Sequence, residues 1–419
     1  MKLSDYKHVH CIGIGGIGLS AIARYCNSRG AVVSGSDGSS SRITDDLQKE
    51  GVTVYYGHNI AHLSQDTELV IYTIAVTESN PELKEAKSRG VTCMTYPEAL
   101  GLLTQEYTTI AVCGTHGKTT TTAMIASMLT ACSKSPTVIV GSLLASDGTN
   151  FIDGTSEYLV VEACEYKRSF LNLHPKYIVV TNIDEDHLDY YKDIKDIESA
   201  FQEFVDKLPE DGEVVAHSKE FKLLNFKNKI YADSYMTHDL RLSVLGEHNK
   251  NNAQLCIALG NLLKLNQGKI REGLFNFKGT WRRLEYRGEQ KGAVMYDDYG
   301  HHPTEIIATL NALREKYTTD KFKLVVVFQP HLYSRTKLLL NDFANAFTLA
   351  DKILVLPIYA AREKDDGTIS SEDLVEKMDN SVYVESFDEV KKYIDKNCHS
   401  GSVVLTIGAG DVYKIFDLF

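Results

Sequence analysis

The sequence predicts an α/β protein of three domains, each built on a mostly parallel sheet. Two glycine-rich turns, at residues 13–18 and 114–117, follow short apolar runs and precede helical patterns, which is the strand, turn, helix order of nucleotide-binding sheets. In the last third of the chain, apolar strands again alternate with helical segments. A chain of 419 residues is long enough for two or three complete cores. We expect the domains to span residues 1–103, 104–278 and 279–419.

The composition disfavours several classes of partner. The net charge of −11, with no basic stripe to offset it, argues against nucleic acid. The N-terminus lacks the layout of a signal peptide and no apolar run approaches the ~20 residues of a membrane helix, so we expect a cytoplasmic protein without a membrane partner. For its assembly we expect a monomer or a homodimer. The cysteines are scattered without a CxxC pair, which favours reduced thiols over disulfides or a zinc site.

The first domain carries a dinucleotide-type turn. Residues His8–Ile12 predict a strand, the glycines at 13, 15 and 18 fit the pattern GxGxxG, and residues 19–28 predict a helix. A second strand ends at Asp37, about where such domains place an acid that bonds a ribose hydroxyl. These features predict a Rossmann-like domain. Taken alone they favour NAD, but the motif requires only a backbone close to a pyrophosphate, which any nucleoside diphosphate can use.

The second turn predicts a P-loop. Residues 110–113 form an apolar strand pattern, residues 114–117 form a turn that we call the phosphate loop, and a helical pattern begins at Lys118. In this setting Lys118 contacts the β- and γ-phosphates and the Thr119 hydroxyl binds Mg²⁺. Val112 stands where the strict spacing has a glycine, so the match is to the variant GTxGKTT. An ordinary strand-to-helix turn does not account for four threonines, which are mediocre helix formers. We therefore predict a central P-loop ATPase-type domain.

Polar side chains follow the next two predicted strands. Residues 158–165 form a buried strand that ends in carboxylates, of which Glu162 is a candidate Mg²⁺ ligand, with a solvated strand-end acid as the alternative. A further strand delivers Asn182, and then Asp186 and His187, to the sheet edge at which ligands bind. His187 is a candidate second metal ligand, although a surface histidine is the commoner case.

The last domain is predicted to be a second Rossmann-like unit, and charged side chains follow its strands. Aspartates at a strand end suit ribose hydroxyls, an arginine suits a phosphate, and a histidine with an arginine can hold a carboxylate. These candidates are Asp297 and Asp298, Arg282 or Arg283, and His331 with Arg335.

Four segments in this order resemble the Mur ligase family: GTHGKTTTT, the strand of Glu162, TNIDEDHLDYY and the HN-x-x-NA segment from His248 to Ala253. The resemblance implies ATP-dependent amide bond formation in the synthesis of peptidoglycan precursors. Three further segments, DDYGHHPTE, FQPH and GAGD, resemble the branch of the family that joins L-alanine to UDP-N-acetylmuramate. The resemblance covers essentially the whole chain, so the substrates it implies are UDP-N-acetylmuramate, L-alanine and ATP, with Mg²⁺.

The resemblance also implies roles for individual residues. UDP-sugar binding falls to Gly13, Gly15, Gly16, Gly18 and Asp37. ATP binding falls to Gly114, Thr115, Gly117, Lys118, Thr119, Thr120, Asn182, Arg283 and Asp298. The metal ligands that it implies are Thr119, Glu162 and His187. The catalytic residues that it implies are Lys118, His187, His301, His331 and Arg335. The expected reaction passes through an acyl phosphate.

Some positions depart from the family pattern. They are Trp281, Leu332, the run from Glu162 to Tyr166, and the run from Thr73 to Ala75. Some branches carry a carbamylated lysine that residues 199–204 lack, so we predict none here. Three alternative functions stay open: a sister ligase that attaches a tripeptide in cell-wall recycling, an NAD-dependent dehydrogenase, and a non-catalytic nucleotide-binding regulator.

Overall fold

The computed structural model describes residues 2–144, 148–187, 190–235, 239–361 and 363–419. These residues group into two compact units, one of Met1–Arg241 with Asn252–Phe277 and the other of Leu242–Asn251 with Lys278–Phe419. Within them the chain forms three β-sheets, two in the first unit and one in the second. No helix in this described part is both long enough and apolar enough to cross a membrane.

The first sheet is parallel and has the strand order β3-β2-β1-β4-β5. Its strands are β1 (His8–Ile12), β2 (Val32–Asp37), β3 (Thr53–Tyr56), β4 (Leu69–Tyr72) and β5 (Thr92–Thr95), and its helices are α1 (Ile17–Ser28), α2 (Arg42–Lys49), α3 (Pro81–Ser88) and α4 (Tyr96–Thr104). The order reverses beside β1, as in doubly wound sheets, and this edge is where such folds bind nucleotides. Helix α1 begins at Ile17, earlier than predicted, because the turn ends at Gly16, which is its N-cap.

The second sheet has the order β12-β11-β10-β6-β9-β7-β8 and is parallel except for the pairing of β7 with β8. Its strands are β6 (Thr108–Cys113), β7 (Thr137–Ile139), β8 (Phe151–Ile152), β9 (Tyr158–Glu162), β10 (Tyr177–Val180), β11 (Glu213–Ala216) and β12 (Lys229–Tyr231). Its helices are α5 (Lys118–Ala131), α6 (Ile194–Val205), α7 (Glu247–Leu262) and α8 (Gln267–Asn276). Strand β6 lies between β9 and β10, so the segments that follow these strands meet beside the phosphate loop.

The third sheet has the order β13-β14-β18-β15-β16-β17, with β13 antiparallel to β14. Its strands are β13 (Glu285–Gln290), β14 (Ala293–Asp298), β15 (Lys323–Phe328), β16 (Lys352–Val355), β17 (Ser381–Tyr383) and β18 (Ser402–Ile407). Its helices are α9 (Pro303–Lys316), α10 (Tyr333–Leu338), α11 (Leu340–Ala346), α12 (Ser371–Val375) and α13 (Phe387–Asn397). Strand β18 is buried along its whole length, which is typical of a central parallel strand covered by helices on both faces.

Local sequence signals set the start of several helices. At α4, Thr95 and Glu98 form a capping box, in which the Glu98 carboxylate accepts the Thr95 backbone N–H at 2.7 Å. At α3, the Asn80 side chain accepts the Glu82 backbone N–H at 2.9 Å, and Pro81 occupies the first turn. These caps fix where the helices leave the ligand-binding edge of the first sheet.

Candidate active site

The phosphate loop joins β6 to α5 through two glycines in the left-handed region. Gly114 has a φ of 135° and Gly117 a φ of 82°, conformations that other residues avoid. At Gly114 a Cβ would also clash with the Thr181 hydroxyl. Gly117 is the N-cap of α5, so the free backbone N–H groups of the first helical turn are at the loop. The loop therefore has the backbone shape of an anion-binding site.

Asn182, which follows β10, fixes the conformation of the phosphate loop. Its side-chain oxygen accepts the His116 backbone N–H at 2.9 Å, and its side-chain nitrogen donates to the His116 carbonyl at 2.8 Å. The Asn182 carbonyl accepts the Thr115 backbone N–H at 3.0 Å. Asn182 therefore shapes the phosphate loop, and its predicted role in ATP binding stays a prediction.

Lys118 bonds with the loop and with an acid that follows β9. Its ammonium donates to the carbonyls of Gly114 at 2.6 Å and Thr115 at 2.9 Å and to the Glu165 carboxylate at 3.0 Å. Burial alone would lower the pKa of Lys118, but the charges of Glu165 and Glu162 outweigh it and raise that pKa. The ammonium stays charged at neutral pH, and a bound phosphate must replace at least one of its present partners.

Thr119 and Glu162 offer two oxygen atoms beside the phosphate loop. The Thr119 hydroxyl donates to Glu162 Oε2 at 2.9 Å, and the same carboxylate oxygen accepts the Gly141 backbone N–H at 2.9 Å. Among the described residues no three His, Cys, Asp or Glu side chains form a metal-binding group. A hydroxyl and a carboxylate at this spacing nevertheless fit Mg²⁺, which commonly takes one or two protein ligands and completes its shell with phosphate and water.

His187 lies beside Glu165. Its Nε2 is 3.8 Å from Glu165 Oε1 and 3.9 Å from the Asp186 carboxylate, and its ring packs on Tyr166 at 4.8 Å. The backbone of His187 is left-handed, with a φ of 53°. The next two residues of the motif, Leu188 and Asp189, lie outside the described residues. The metal role of His187 stays a prediction.

The glycine turn of the first sheet borders a cavity of about 660 Å³, which we call the glycine-loop pocket. It is lined by Gly13, Gly15, Gly16, Asp37, Gly38, Ser39, Ser41, His58, Thr73, Ala75, Val76, Thr77, Ser79, Asn80 and Pro81. The Asp37 carboxylate accepts the backbone N–H groups of Gly15 at 2.8 Å and Gly38 at 2.7 Å, so this predicted ligand of the sugar nucleotide also orders the turn. Gly18 packs instead under the ring of Tyr96, where a Cβ would lie 2.6 Å from Tyr96 Cζ.

In the second unit, the two neighbouring arginines have different roles. Arg282 is buried, and its guanidinium donates to Asp297 at 2.8 Å and to the carbonyls of Gly410 at 2.8 Å and Gly408 at 2.5 Å. These contacts tie the end of β14 to the segment after β18. Arg283 is partly exposed and lies 3.5 Å from Glu305. Arg283 is therefore the arginine with surface available for a phosphate.

Asp298 is buried at the end of β14. Its two carboxylate oxygens accept the backbone N–H groups of Gly300 at 2.6 Å and Leu284 at 2.7 Å. Burial raises the pKa of Asp298 to about 6, assisted by the charge of Glu305 and opposed by Arg283. Its predicted contact with ATP has to use the lone pairs that these backbone bonds leave available.

His301, His331 and Arg335 form a cluster in the second unit, after strands β14 and β15. The rings of His301 and His331 are 5.9 Å apart, and an Arg335 guanidinium nitrogen is 3.3 Å from His331 Nδ1. The His331 ring also stacks on Tyr359, with the planes 14° apart. The structure therefore brings these three predicted catalytic residues together, and a cation with two imidazoles suits a carboxylate ligand.

The structure shows what surrounds two of the residues that depart from the family pattern, Trp281 and Leu332. Trp281 packs edge-on against Tyr413, with ring centres 5.3 Å apart. Leu332 is buried with a left-handed φ of 71°, and its backbone N–H donates to the Tyr359 carbonyl at 3.0 Å. Both side chains pack inside the second unit.

Three profiles of one family match consecutive parts of this chain. The profile described as Mur ligase family, catalytic domain, matches residues 8–108. The Mur ligase middle domain matches residues 112–235, and the Mur ligase, glutamate ligase domain, matches residues 282–410. The chain belongs to the Mur ligase family.

Similar proteins cover this Mur ligase family member from end to end. A UDP-N-acetylmuramate–L-alanine ligase of Agathobacter rectalis is 41% identical over 97% of this chain and 96% of its own length. The crystal structure of a UDP-N-acetylmuramate–alanine ligase from Thermotoga maritima is 30% identical, with a TM-score of 0.83 over 98% of both chains. A murein peptide ligase from Psychrobacter arcticus, 23% identical with a TM-score of 0.71, shares the fold. These matches confirm the predicted three-domain α/β architecture.

Two acids of this Mur ligase family member were not singled out from the sequence. Glu165 is the carboxylate that accepts a hydrogen bond from Lys118. Its position shortly after the strand of Glu162 is the sequence feature from which this contact could have been predicted. Glu82 is buried next to the glycine-loop pocket, where it accepts hydrogen bonds from Ser36 and His62. Its position in the first turn of a capped helix gave no signal beyond ordinary helix capping.

Substitutions of Arg282 and Arg283 are expected to have opposite effects on stability and on ATP use. Arg282→Ala leaves Asp297 buried without its cation, which is expected to cost about 3–5 kcal/mol of stability. Arg283→Ala is expected to change the free energy of unfolding by less than about 1 kcal/mol, because its ion pair with Glu305 is partly exposed, and to raise the KM for ATP if the predicted phosphate contact is correct. Urea denaturation and ATP titration of both variants check this. A stable Arg282→Ala protein with weakened ATP use would show that the assignments are reversed.

Proposed function

We propose that this chain is an ATP-dependent ligase that joins L-alanine to the lactyl carboxylate of UDP-N-acetylmuramate in peptidoglycan precursor synthesis. The observation that carries this proposal is the end-to-end similarity to the alanine ligase of Agathobacter rectalis, at 41% identity. The ion-paired Lys118 and the hydrogen-bonded pair of Thr119 and Glu162 add the chemical elements that ATP chemistry requires.

The reaction needs activation of a carboxylate. A carboxylate does not accept an amine at neutral pH, so the lactyl carboxylate first attacks the γ-phosphorus of ATP and releases ADP, which gives an acyl phosphate. The alanine amine then attacks the acyl carbon and gives up a proton to solvent, and phosphate leaves the tetrahedral intermediate. In both steps the protein mainly positions the reactants and neutralises charge.

The predicted site residues divide among the three substrates in this scheme. Lys118 and the phosphate loop hold the ATP phosphates, and a Mg²⁺ ion held by Thr119 and Glu162, with His187 nearby, would supply charge neutralisation when bound. The glycine-loop pocket takes the sugar nucleotide, with Asp37 toward the ribose. Arg283 and Asp298 are proposed ATP contacts. The cluster of His301, His331 and Arg335 is proposed to take the amino acid.

The domains are proposed to divide as predicted, at residues 1–103, 104–278 and 279–419. Under this division the glycine-loop pocket belongs to the first domain and the phosphate loop to the second. The His301, His331 and Arg335 cluster belongs to the third. The first domain then supplies the sugar-nucleotide site and the second the phosphate loop, and the third supplies the amino-acid cluster together with two proposed ATP contacts, Arg283 and Asp298.

The test is phosphate release by the purified protein with MgATP and UDP-N-acetylmuramate, scanning L-amino acids and the cell-wall tripeptide one at a time. Release that requires both the sugar nucleotide and L-alanine is expected. Release that occurs with the sugar nucleotide and the tripeptide, but with no single amino acid, would identify the recycling ligase instead. ATP binding without release under any combination would identify a regulator, and a nicotinamide fluorescence change on mixing would identify a dehydrogenase.

A further inference from the structure

A buried acid forms a hydrogen-bonded centre next to the glycine-loop pocket. Glu82 is fully buried in the first turn of α3. Its Oε2 accepts the Ser36 hydroxyl at 2.5 Å, and its Oε1 accepts His62 Nδ1 at 2.9 Å and the Asn59 backbone N–H at 3.1 Å. Burial alone would raise the pKa of Glu82, but hydrogen bonds from His10, Ser36 and these other donors lower it to about 2. The carboxylate is therefore ionised, and it can only accept hydrogen bonds.

The charge on Glu82 determines which nitrogen of His58 carries the proton. The Ser36 hydroxyl has a single hydrogen, which it donates to Glu82. The same hydroxyl oxygen lies 3.0 Å from His58 Nδ1. Because its hydrogen is already committed, Ser36 can only accept from His58, so Nδ1 carries the proton. In the neutral ring Nε2 is then a hydrogen-bond acceptor.

His58 lines the glycine-loop pocket, and its side chain is 34% exposed. It follows β3, which pairs with β2, the strand that ends at Asp37. The glycine turn follows β1, on the other side of β2. His58 therefore lies toward the nucleoside end of a ligand whose pyrophosphate meets the glycine turn. Uridine has hydrogens to offer an acceptor there, on its ribose hydroxyls and on uracil N3, whereas ionised phosphates have none.

We propose that His58 binds the nucleoside part of the UDP-sugar by accepting an O–H or N–H hydrogen at Nε2, and that Glu82 is the positioning residue that fixes this tautomer through Ser36. The inference rests on the proposed function, since it takes the sugar nucleotide to occupy the glycine-loop pocket. The inference adds His58 as a ligand-binding residue, and it gives a role to the buried Glu82, which has no other part in the proposed reaction.

Calorimetry tests the binding role with UDP, 2′-deoxy-UDP, 3′-deoxy-UDP and 3-methyl-UDP on the wild-type protein and on His58→Phe. For the analogue that lacks the donated hydrogen, wild-type affinity is expected to fall about 10-fold, and this difference should vanish in His58→Phe. A loss of affinity with a deoxy-ribose analogue would show that His58 contacts the ribose, and a loss with 3-methyl-UDP would show that it contacts the base. His62→Gln, which keeps a donor for Glu82 and does not line the pocket, is the matched control and should retain the difference. Unchanged differences in His58→Phe would overturn the inference alone, whereas absence of UDP binding to the wild type would overturn the proposed pocket with it.

Nitrogen NMR tests the positioning role. In the wild-type protein the His58 ring is expected in the Nδ1–H form, and Ser36→Ala should shift it toward Nε2–H and weaken UDP binding as much as His58→Phe does. Ser36→Ala is preferred to Glu82→Gln, since the latter alters every group around the buried charge and so affects folding. An Nε2–H ring in the wild type, or an unchanged tautomer in Ser36→Ala, would overturn the role of Glu82.

Discussion

Lys118→Ala is expected to abolish ATP-dependent phosphate release, with kcat falling by at least about 10³-fold, while UDP-N-acetylmuramate still binds. The ammonium lies 2.6 Å and 2.9 Å from carbonyls of the phosphate loop, so a phosphate held there meets this charge directly. The glycine-loop pocket is built from the first sheet and its connections, so its ligand does not depend on Lys118. A phosphate assay and calorimetry with the sugar nucleotide measure the two effects separately.

The control for this prediction has to separate catalysis from folding. Removing Lys118 leaves the Glu165 carboxylate buried without its cation, which is itself expected to cost about 3–5 kcal/mol. The double variant Lys118→Ala/Glu165→Gln removes both charges and should regain stability without regaining activity. Lys134→Ala, at the lysine just after the same helix, should turn over normally. Loss of sugar-nucleotide affinity in a stably folded double variant would show that the two sites are not independent.

The parts of the site that follow from local pattern could be predicted from the sequence. An apolar run, a glycine turn and a helix are contiguous, so the phosphate loop and the first glycine turn needed no knowledge of distant contacts. Glu162 and Asn182 could be placed near the loop because the carboxyl ends of neighbouring parallel strands share one edge. The predicted carboxylate therefore does reach Thr119, at 2.9 Å.

The parts that depend on side chains meeting across the fold could not be predicted. Arg282 and Arg283 are adjacent in sequence, and only the packed structure shows that one is buried against Asp297 while the other stays partly exposed. In the sequence, Glu82 has the pattern of an ordinary acid at a helix start. Only the folded structure shows that β1, β2 and the segment after β3 surround it. Burial of a charge depends on long-range packing, which spacing along the chain does not record.

Glu162→Gln is expected to raise the Mg²⁺ concentration for half-maximal phosphate release by at least about 10-fold and to lower kcat. The substitution keeps an oxygen able to accept from Thr119 and Gly141 but removes the negative charge. Effects on loop structure are therefore small, and the lost charge accounts for the result. Glu157→Gln, at an exposed acid that immediately precedes the same strand, is the matched control and should leave the Mg²⁺ titration unchanged.

His187→Ala distinguishes two roles for this histidine. If His187 binds the metal, the variant should shift the Mg²⁺ titration as Glu162→Gln does, and Mn²⁺ binding measured by electron paramagnetic resonance with a non-hydrolysable ATP analogue should weaken in both. If His187 only packs against Glu165, from which its Nε2 is 3.8 Å distant, the Mg²⁺ titration stays normal and the changes resemble those of Glu165→Gln. Normal titrations in both Glu162→Gln and His187→Ala would overturn the metal assignment, because no remaining predicted ligand except the Thr119 hydroxyl would then be left to hold the ion.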